Sequence, residues 1–273
     1  MKASTYIGIV LTIIVICLGA MLEGTNLMAV FNVPALCIVV GGTLGVTIAA
    51  VGLEKMLLVP KLYIRILNGG TPDYAGQVDQ LVDLADRARK EGLLALDEMT
   101  GSIEDPFLRK GMQLVVDGTD PELVREILEA EIEAMEKRHH GNKQIFVQAG
   151  GFAPTMGVLG TVLSLVHVLN NLDKPETLGP SISGAFIATL LGVGTANVVF
   201  LPVGNRLGDL SKEEVALREL TVEGIMAIQG GENPRIVREK LTAWVPPAQR
   251  GGEAGGEGAA VEPGRDGRMA EAA

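Results

Sequence analysis

The sequence predicts an all-α membrane protein. It has four transmembrane helices, a helical cytoplasmic insert between the second and third, and a cytoplasmic C-terminal helix followed by a disordered tail. Three observations predict this class. Of the 56 charged residues, 51 fall within 54–143 and 206–273. Four stretches without any full charge each supply the ~20 apolar residues that cross a ~30 Å hydrocarbon layer. Within the charged blocks, apolar residues recur at the three- and four-residue spacing of helices.

The same composition argues against other classes. The net charge is −10 and the basic residues are interleaved with acids, so we expect no nucleic-acid binding. The two cysteines, Cys17 and Cys37, lie in apolar runs and are typical of small buried hydrophobes rather than a disulfide framework. No small-x-small cleavage site precedes Glu23, so we expect the first apolar run to be retained as a helix.

Residues 1–53 are predicted to form the first two transmembrane helices, at Ser4–Leu22 and Pro34–Leu53. Both are almost purely apolar, which favours outer, lipid-facing positions. Residues 54–143 form the cytoplasmic insert. Its first segment, Glu54–Leu67, mixes basic residues with Leu, Ile and Tyr, which favours a helix on the inner membrane surface with its cationic heads toward lipid phosphates. A simple stop-transfer flank explains the same pattern.

The rest of the insert is predicted to be helical. Apolar spacing indicates helices over 77–90 and 93–99, interrupted at a glycine, and a third over 106–116. An acid, a proline and a second acid starting at Asp120 are a strong helix start. That helix is predicted to run toward the third span, with a possible break at Gly141.

Residues 144–207 are predicted to form the third and fourth transmembrane helices, at Ile145–Leu169 and Pro180–Gly204. Residues 208–247 form a cytoplasmic C-terminal helical region. Residues 248–273 are mostly Gly, Ala and charge, which predicts a disordered tail.

Basic residues predict the orientation. Lys55, Lys61 and Arg65 follow the second span and Arg206 follows the fourth, whereas the two short loops hold only Lys174. The positive-inside rule therefore places both termini and the insert in the cytoplasm of a multi-pass plasma (inner) membrane protein.

Polar residues inside the third and fourth spans form matched levels. Thr161 lies nine residues below Asn170 and Thr189 nine below Pro180, so each hydroxyl is ~13 Å below the outer boundary. By similar counting Thr155 pairs with Asn197. This pattern favours two helices that line one ion path. The alternative is that each hydroxyl bonds the preceding turn or joins neighbouring helices.

Two prolines extend this pattern. Pro154 and Pro202 are predicted to pair near the inner face of the membrane.

The four spans contain no Asp, Glu, Lys or Arg, and their only histidine, His167, lies near an outer end. Ion carriers usually need an ionisable residue within the bilayer. A partner chain must then supply the carboxylate for a transported H⁺ or Na⁺. We expect no cofactor and no metal site.

Three segments resemble the flagellar motor stator A subunit, the MotA/PomA family. The run 149–207, AGGFAPTMGVLGTVLSLVHVLNNLDKPETLGPSISGAFIATLLGVGTANVVFLPVGNRL, resembles its third and fourth helices. The segment 84–99, LADRARKEGLLALDEM, resembles its cytoplasmic rotor-facing region. Residues 19–49 resemble its first two helices.

The resemblance implies roles for individual residues. Pro154 and Pro202 match prolines that couple ion flow to conformational change, and Thr161 matches a threonine near the ion path. Thr189 matches a position where sodium-type stators have Thr and many proton-type stators a smaller residue. The choice between the two ions stays open, because a threonine also holds the waters of a proton wire.

The same resemblance implies a rotor interface in the insert. Arg89, next to Lys90, matches the family's key cytoplasmic arginine. Asp97 stands where the family has a glutamate, and Glu98 is adjacent, so either acid could face the rotor. These charges also have an explanation that needs no rotor contact. Cations favour helix C-termini, and acids are common on solvated faces.

The family implies a stator that couples cation influx to torque on the rotor for motility. Its A subunits form a pentamer around a dimer of the B subunit, which is single-span, aspartate-bearing and peptidoglycan-binding. The rotor partner is a switch-complex protein. Two alternatives stay open: a TolQ/ExbB-like energiser of an envelope complex, although those relatives have three spans, and a self-sufficient ion channel or transporter. We expect no enzymatic activity, because no nucleophile–base or metal constellation exists.

Overall fold

The computed structural model describes residues 4–24, 27–70 and 72–249, and every regular element within them is helical. Eight helices organise the described chain: α1 Ser4–Leu22, α2 Val33–Val51, α3 Val59–Asn68, α4 Tyr74–Glu91, α5 Pro106–Val116, α6 Pro121–Leu169, α7 Pro175–Gln229 and α8 Pro234–Thr242. Short helical turns fill the connections at Leu27–Val30, Leu53–Met56, Leu93–Leu96, Asp97–Thr100 and Pro247–Gln249.

The four predicted spans are confirmed as helices. Among the described residues, α1, α2, α6 and α7 are long and apolar enough to cross a membrane. The first span matches its predicted bounds, and the second begins one residue earlier and ends at Val51. Both α2 and α7 contain a π-helical segment, Cys37–Gly41 and Thr195–Phe200.

The α6 helix runs for 49 residues without interruption, so the predicted break at Gly141 is wrong. The Asp120 side chain caps its start by accepting from the Glu122 N–H at 2.9 Å. Glycine weakens a helix interior by only about 1 kcal/mol relative to alanine. Contacts on both sides outweigh this loss: His139 lies 3.2 Å from Ser211, and Lys143 packs against Gly208.

The α7 helix is also longer than predicted. It starts at Pro175, so the outer loop is shorter than the predicted 170–179, and it continues through the end of the fourth span to Gln229. The charged residues after Arg206 therefore extend a membrane helix rather than begin a new one.

The chain divides into two compact units whose boundaries differ from the predicted domains. One unit comprises the described residues up to Pro72 together with 119–222. The other comprises 73–118 and the described residues from Glu223. The two ends of the predicted insert thus belong to the unit that contains the four apolar helices.

The smaller unit has a core built by α4, α5 and the C-terminal residues. α8 packs along α4, buries Val237 and Leu241 completely, and pairs Arg238 with Asp79 at 2.6 Å. The backbone N–H of Tyr74 donates to the Gln249 side chain at 3.2 Å. Residues 248–249 therefore end a described helical turn, and the rest of the predicted tail lies outside the described residues.

In the larger unit, α3 packs its apolar face against α6 and α7. The cluster contains Leu62, Ile66, Ile145, Phe146, Val203 and Leu207. The rings of Tyr63 and Phe146 meet edge to face with centroids 5.5 Å apart. The predicted surface helix exists, but Arg65 does not point to lipid as expected. It binds Glu214 of α7 at 2.7 Å, because a carboxylate gives a guanidinium a directed partner.

The first two helices differ in exposure. Most large side chains of α1 are exposed apolar groups, whereas α2 buries Val39, Thr43 and Thr47 along one face and packs against α6. Gly42 of α2 lies against Met156 of α6.

Candidate functional site

Thr161 and Thr189 meet between α6 and α7. Their hydroxyl oxygens are 2.5 Å apart, and Thr161 Oγ1 lies 3.0 Å from the carbonyl oxygens of Gly157 and Ala185. Thr161 has one proton to donate, so it donates to a carbonyl while accepting from Thr189. Two hydroxyl oxygens predicted to share one depth are therefore directly bonded, and both side chains are half-buried.

Glycines allow the two helices to come this close. A Cβ on Gly192 would lie 2.6 Å from the Ala153 carbonyl oxygen and 2.9 Å from the Gly157 Cα. A Cβ on Gly157 would lie 2.9 Å from the Ala188 carbonyl oxygen. These neighbours are backbone atoms that cannot rotate away. Sequence reasoning missed both glycines, although small residues at seven- or four-residue spacing are the usual signal of close membrane helix packing.

The other predicted polar residues are not brought to this pair. Thr155 Oγ1 donates to the Phe152 carbonyl at 2.7 Å, and Asn197 Nδ2 donates to the Val193 carbonyl at 2.9 Å. Both side chains are exposed and bond their own helix. For these two residues the structure shows the local bonding that was the alternative explanation.

The two prolines do not lie at one level. Gly150 packs against Leu201, and Gly204 against Phe146, which sets the antiparallel register of α6 and α7. In this register Pro202 lies about six residues, or ~9 Å, from the level of Pro154. The predicted pairing of the prolines is therefore wrong. Counted from Asn170 and Pro180, the ends that correctly align Thr161 with Thr189, Pro154 lies about 16 residues down its helix and Pro202 about 22.

Pro202 lies two residues beyond the end of the π-helical segment Thr195–Phe200. A proline has no N–H to donate to the carbonyl four residues before it. The backbone ladder is therefore altered twice within one stretch, and π segments inside α-helices occur frequently at functional sites.

The predicted rotor-facing charges cluster around one turn of the smaller unit. Arg89 and Lys90 end α4, and Asp97 and Glu98 begin the short helix Asp97–Thr100. All four are exposed. Lys90 pairs with Asp86 of the same helix at 2.5 Å, whereas the other three make no ion pair with any described residue.

The turn between these charges has its own features. Gly92 adopts a φ of +85°, in the left-handed region that favours glycine. Leu94, two residues on, is 79% exposed. An exposed leucine bordered by opposite charges is suited to contact another protein.

A partly buried polar cluster lies where α3 meets α6 and α7. His139 Nδ1 is 3.2 Å from Ser211 Oγ, and Glu214 binds both Arg65 and Arg218. Burial and the nearby Arg65 lower the pKa of His139 below its usual range, although Glu214 opposes them. The neutral imidazole is the favoured form.

Known proteins share this architecture. The sequence profile of the MotA/TolQ/ExbB proton channel family matches residues 99–220. Motility protein A of Bacillus subtilis is 37% identical over 254 residues, which cover 92% of this chain and 93% of that protein. The chain belongs to the MotA family of stator A subunits. It is accordingly a multi-pass inner-membrane protein.

Solved structures agree with this membership. The flagellar MotAB stator complex from Bacillus subtilis matches with a TM-score of 0.84 and 37% identity, covering 90% of this chain and 97% of that one. C. jejuni MotAB matches with a TM-score of 0.85 and 31% identity, covering 90% and 96%. The predicted family, the all-helical fold and the stator function are confirmed.

Proposed function

We propose that this chain forms an ion channel with a B subunit and converts cation influx into torque on the flagellar rotor. One observation supports this most strongly. α6 and α7 meet at a pair of bonded hydroxyls, yet none of the described residues in the four predicted spans is Asp, Glu, Lys or Arg. Such a path can hold a cation or water but has no group to bind the ion's charge. A partner with a carboxylate in its span completes it.

The solved relatives favour a B subunit as that partner, because they are MotAB complexes. In the proposed assembly, A subunits form a pentamer around a dimer of the B subunit. The B subunit is a single-span, peptidoglycan-binding chain that carries the aspartate. The α6 and α7 helices face it, and α1 and α2 lie outside.

The ion path is proposed to include the level of Thr161 and Thr189, with Thr155 and Asn197 on the way to the cytoplasm. Neutralising the partner's carboxylate changes its packing against these helices. Pro154 and Pro202, where the helical hydrogen-bond ladder lacks donors, let α6 and α7 respond.

The proposed contact with the rotor is the turn that carries Arg89, Lys90, Asp97 and Glu98. The exposed charges meet complementary charges on a rotor switch-complex protein and steer the contact. In this proposal both termini and this turn lie in the cytoplasm, which the basic flanks of the second and fourth spans support.

The transported ion is H⁺ or Na⁺. Hydroxyl oxygens such as those of Thr161 and Thr189 can replace water around a sodium ion, and they can equally hold the water chain of a proton path.

The test expresses this chain with and without its B subunit in cells that lack a stator. Swimming and ion uptake are measured with and without sodium at one fixed pH. We expect swimming only with both chains, and a loss of swimming without sodium identifies the sodium form. Ion conduction by this chain alone would contradict the proposal and favour a self-sufficient channel.

A further inference from the structure

The groove between α1 and α7 has a polar end and an apolar end. The polar part encloses about 500 Å³ next to Arg206, and the apolar part encloses about 410 Å³ deeper in the membrane. Val198 lines both, so the two parts are continuous. Each is within the ~300–1,000 Å³ that is usual for small-molecule sites.

We propose that this groove binds one phospholipid with a zwitterionic, primary-amine headgroup, of the phosphatidylethanolamine type. The headgroup occupies the polar part and one acyl chain the apolar part. The proposal concerns a lipid site apart from the Thr161–Thr189 pair and the rotor-facing turn; Asn197 and Pro202 line both its polar part and the α7 stretch that the proposed ion path uses.

The polar part matches a headgroup that carries both a negative phosphate and a positive ammonium group. Its polar lining consists of Thr5, Thr12, Asn197, Asn205, Arg206 and Asp209. Arg206 binds Glu213 through one Nη at 3.2 Å and retains other N–H donors for a phosphate. Asp209 is 60% exposed and meets Lys212 only at 3.9 Å, so its carboxylate can also accept from an ammonium group. A headgroup with phosphate alone would place its negative charge beside this acid, and a quaternary ammonium has no N–H to donate.

The apolar part matches an acyl chain. Ile13 and Ile16 of α1 face Leu190 and Val199 of α7, and Gly194 opens space between them. The two helices run antiparallel, so the apolar part lies on the membrane side of the polar part. Arg206 follows the last apolar residues of its span, at the depth where lipid phosphates lie. The order of polar and apolar surfaces is that of a lipid in its leaflet.

The alternative occupant is a neighbouring copy of this chain. Charge distinguishes the two. Arg206 and Asp209 already meet Glu213 and Lys212, and an uncharged span of a neighbouring copy would add no charge to either, whereas a zwitterionic headgroup brings a charge to each.

Glycines supply a matched pair of variants. A Cβ added to Gly8, which lines the polar part, or to Gly19, on the same helix outside both parts, meets nothing within 4 Å. Gly8→Leu fills the groove and Gly19→Leu does not. Gly194→Leu fills the apolar part from the other helix, where the added Cβ also meets nothing within 4 Å.

The experiment purifies this chain with its B subunit in detergent, exchanges it into mixed micelles of phosphatidylethanolamine, phosphatidylcholine and phosphatidylglycerol, and counts bound lipid by native mass spectrometry. We expect about one phosphatidylethanolamine per chain, favoured about threefold over each other lipid, as is usual for a partly exposed charge pair. Gly8→Leu and Gly194→Leu should lower retention at least fivefold, and Gly19→Leu should not.

Asp209→Asn should remove the preference for phosphatidylethanolamine over phosphatidylglycerol, whereas Glu219→Gln, the same change at an exposed site of α7, should leave it intact. Equal retention in Gly8→Leu, Gly194→Leu and Gly19→Leu would overturn the proposal. So would a preference of the unmodified protein for phosphatidylglycerol, or no retained lipid.

Discussion

Thr161 and Thr189 hold α6 and α7 together through hydroxyl oxygens 2.5 Å apart. Thr161 also contacts two carbonyl oxygens, one on each helix. Thr161 therefore makes more of the hydrogen bonds at this contact than Thr189 does. The two residues are 28 positions apart in the sequence and on opposite sides of the outer loop.

Removing these hydroxyls should destabilise the helix pair unequally. We expect Thr161→Val to lower the free energy of unfolding by about 1 kcal/mol, since interhelical hydrogen bonds in membranes contribute roughly 0.6–1.7 kcal/mol. Thr189→Val should cost less, because Thr161 retains its carbonyl acceptors. Thermal unfolding of the purified chain in detergent measures both. Thr155→Val is the control, since its hydroxyl bonds only its own helix; an equal loss there would contradict the ranking.

Adding a single methyl group at the helix contact should be more damaging. Gly192→Ala puts a Cβ 2.6 Å from a carbonyl oxygen of α6, so the helices must separate. Overpacking of this kind costs about 1–3 kcal/mol. We expect a lower unfolding temperature and reduced swimming. Gly194→Ala, two residues away with nothing within 4 Å of its Cβ, should change neither. Equal behaviour of the two variants would show that α6 and α7 are not in close contact.

The cluster around His139 should make stability depend on pH. The usual pKa is 6.5, and burial with Arg65 lowers it in the folded chain. Between the lowered and the usual pKa the unfolded state binds more protons, so stability is complete above about pH 6.5 and is lost as the pH falls through the folded pKa. His139→Gln should flatten that dependence in chemical unfolding at several pH values. His140→Gln, at the exposed neighbouring position, should leave the pH dependence of stability unchanged. An equally flattened pH dependence in His140→Gln would rule out His139 as its source.

Neutralising the charges at the exposed turn should weaken torque by steps. Arg89→Ala or Asp97→Ala alone should reduce swimming without abolishing it, because an exposed charge pair contributes at most about 1 kcal/mol. The double variant should lose more, and Glu98→Ala compared with Asp97→Ala shows which acid faces the rotor. Glu136→Ala, an exposed acid on α6, is the control. Unchanged torque in the double variant would contradict the proposed role of this turn.

The sequence by itself determined the membrane architecture. In lipid, the backbone N–H and C=O groups of a single apolar segment can form their hydrogen bonds only within a helix. Charge-free stretches of about twenty residues therefore made the four spans and their approximate bounds predictable. The Asp120 cap and the α5 bounds were also predictable, because these signals are local. The shared depth of Thr161 and Thr189 followed from counting the helical rise.

The tertiary structure decided what depends on neighbours. A glycine at 141 is a weak local signal, and packing of α6 against α7 continues the helix through it. The start of α7 at Pro175 follows a local signal, a proline at the first helical position, which the sequence-based bounds did not use. Gly157 and Gly192 are unremarkable in the sequence until each lies against the other's backbone. Arg65 is a membrane-surface residue by composition, and Glu214, 149 positions away, pairs with it to link α3 to α7.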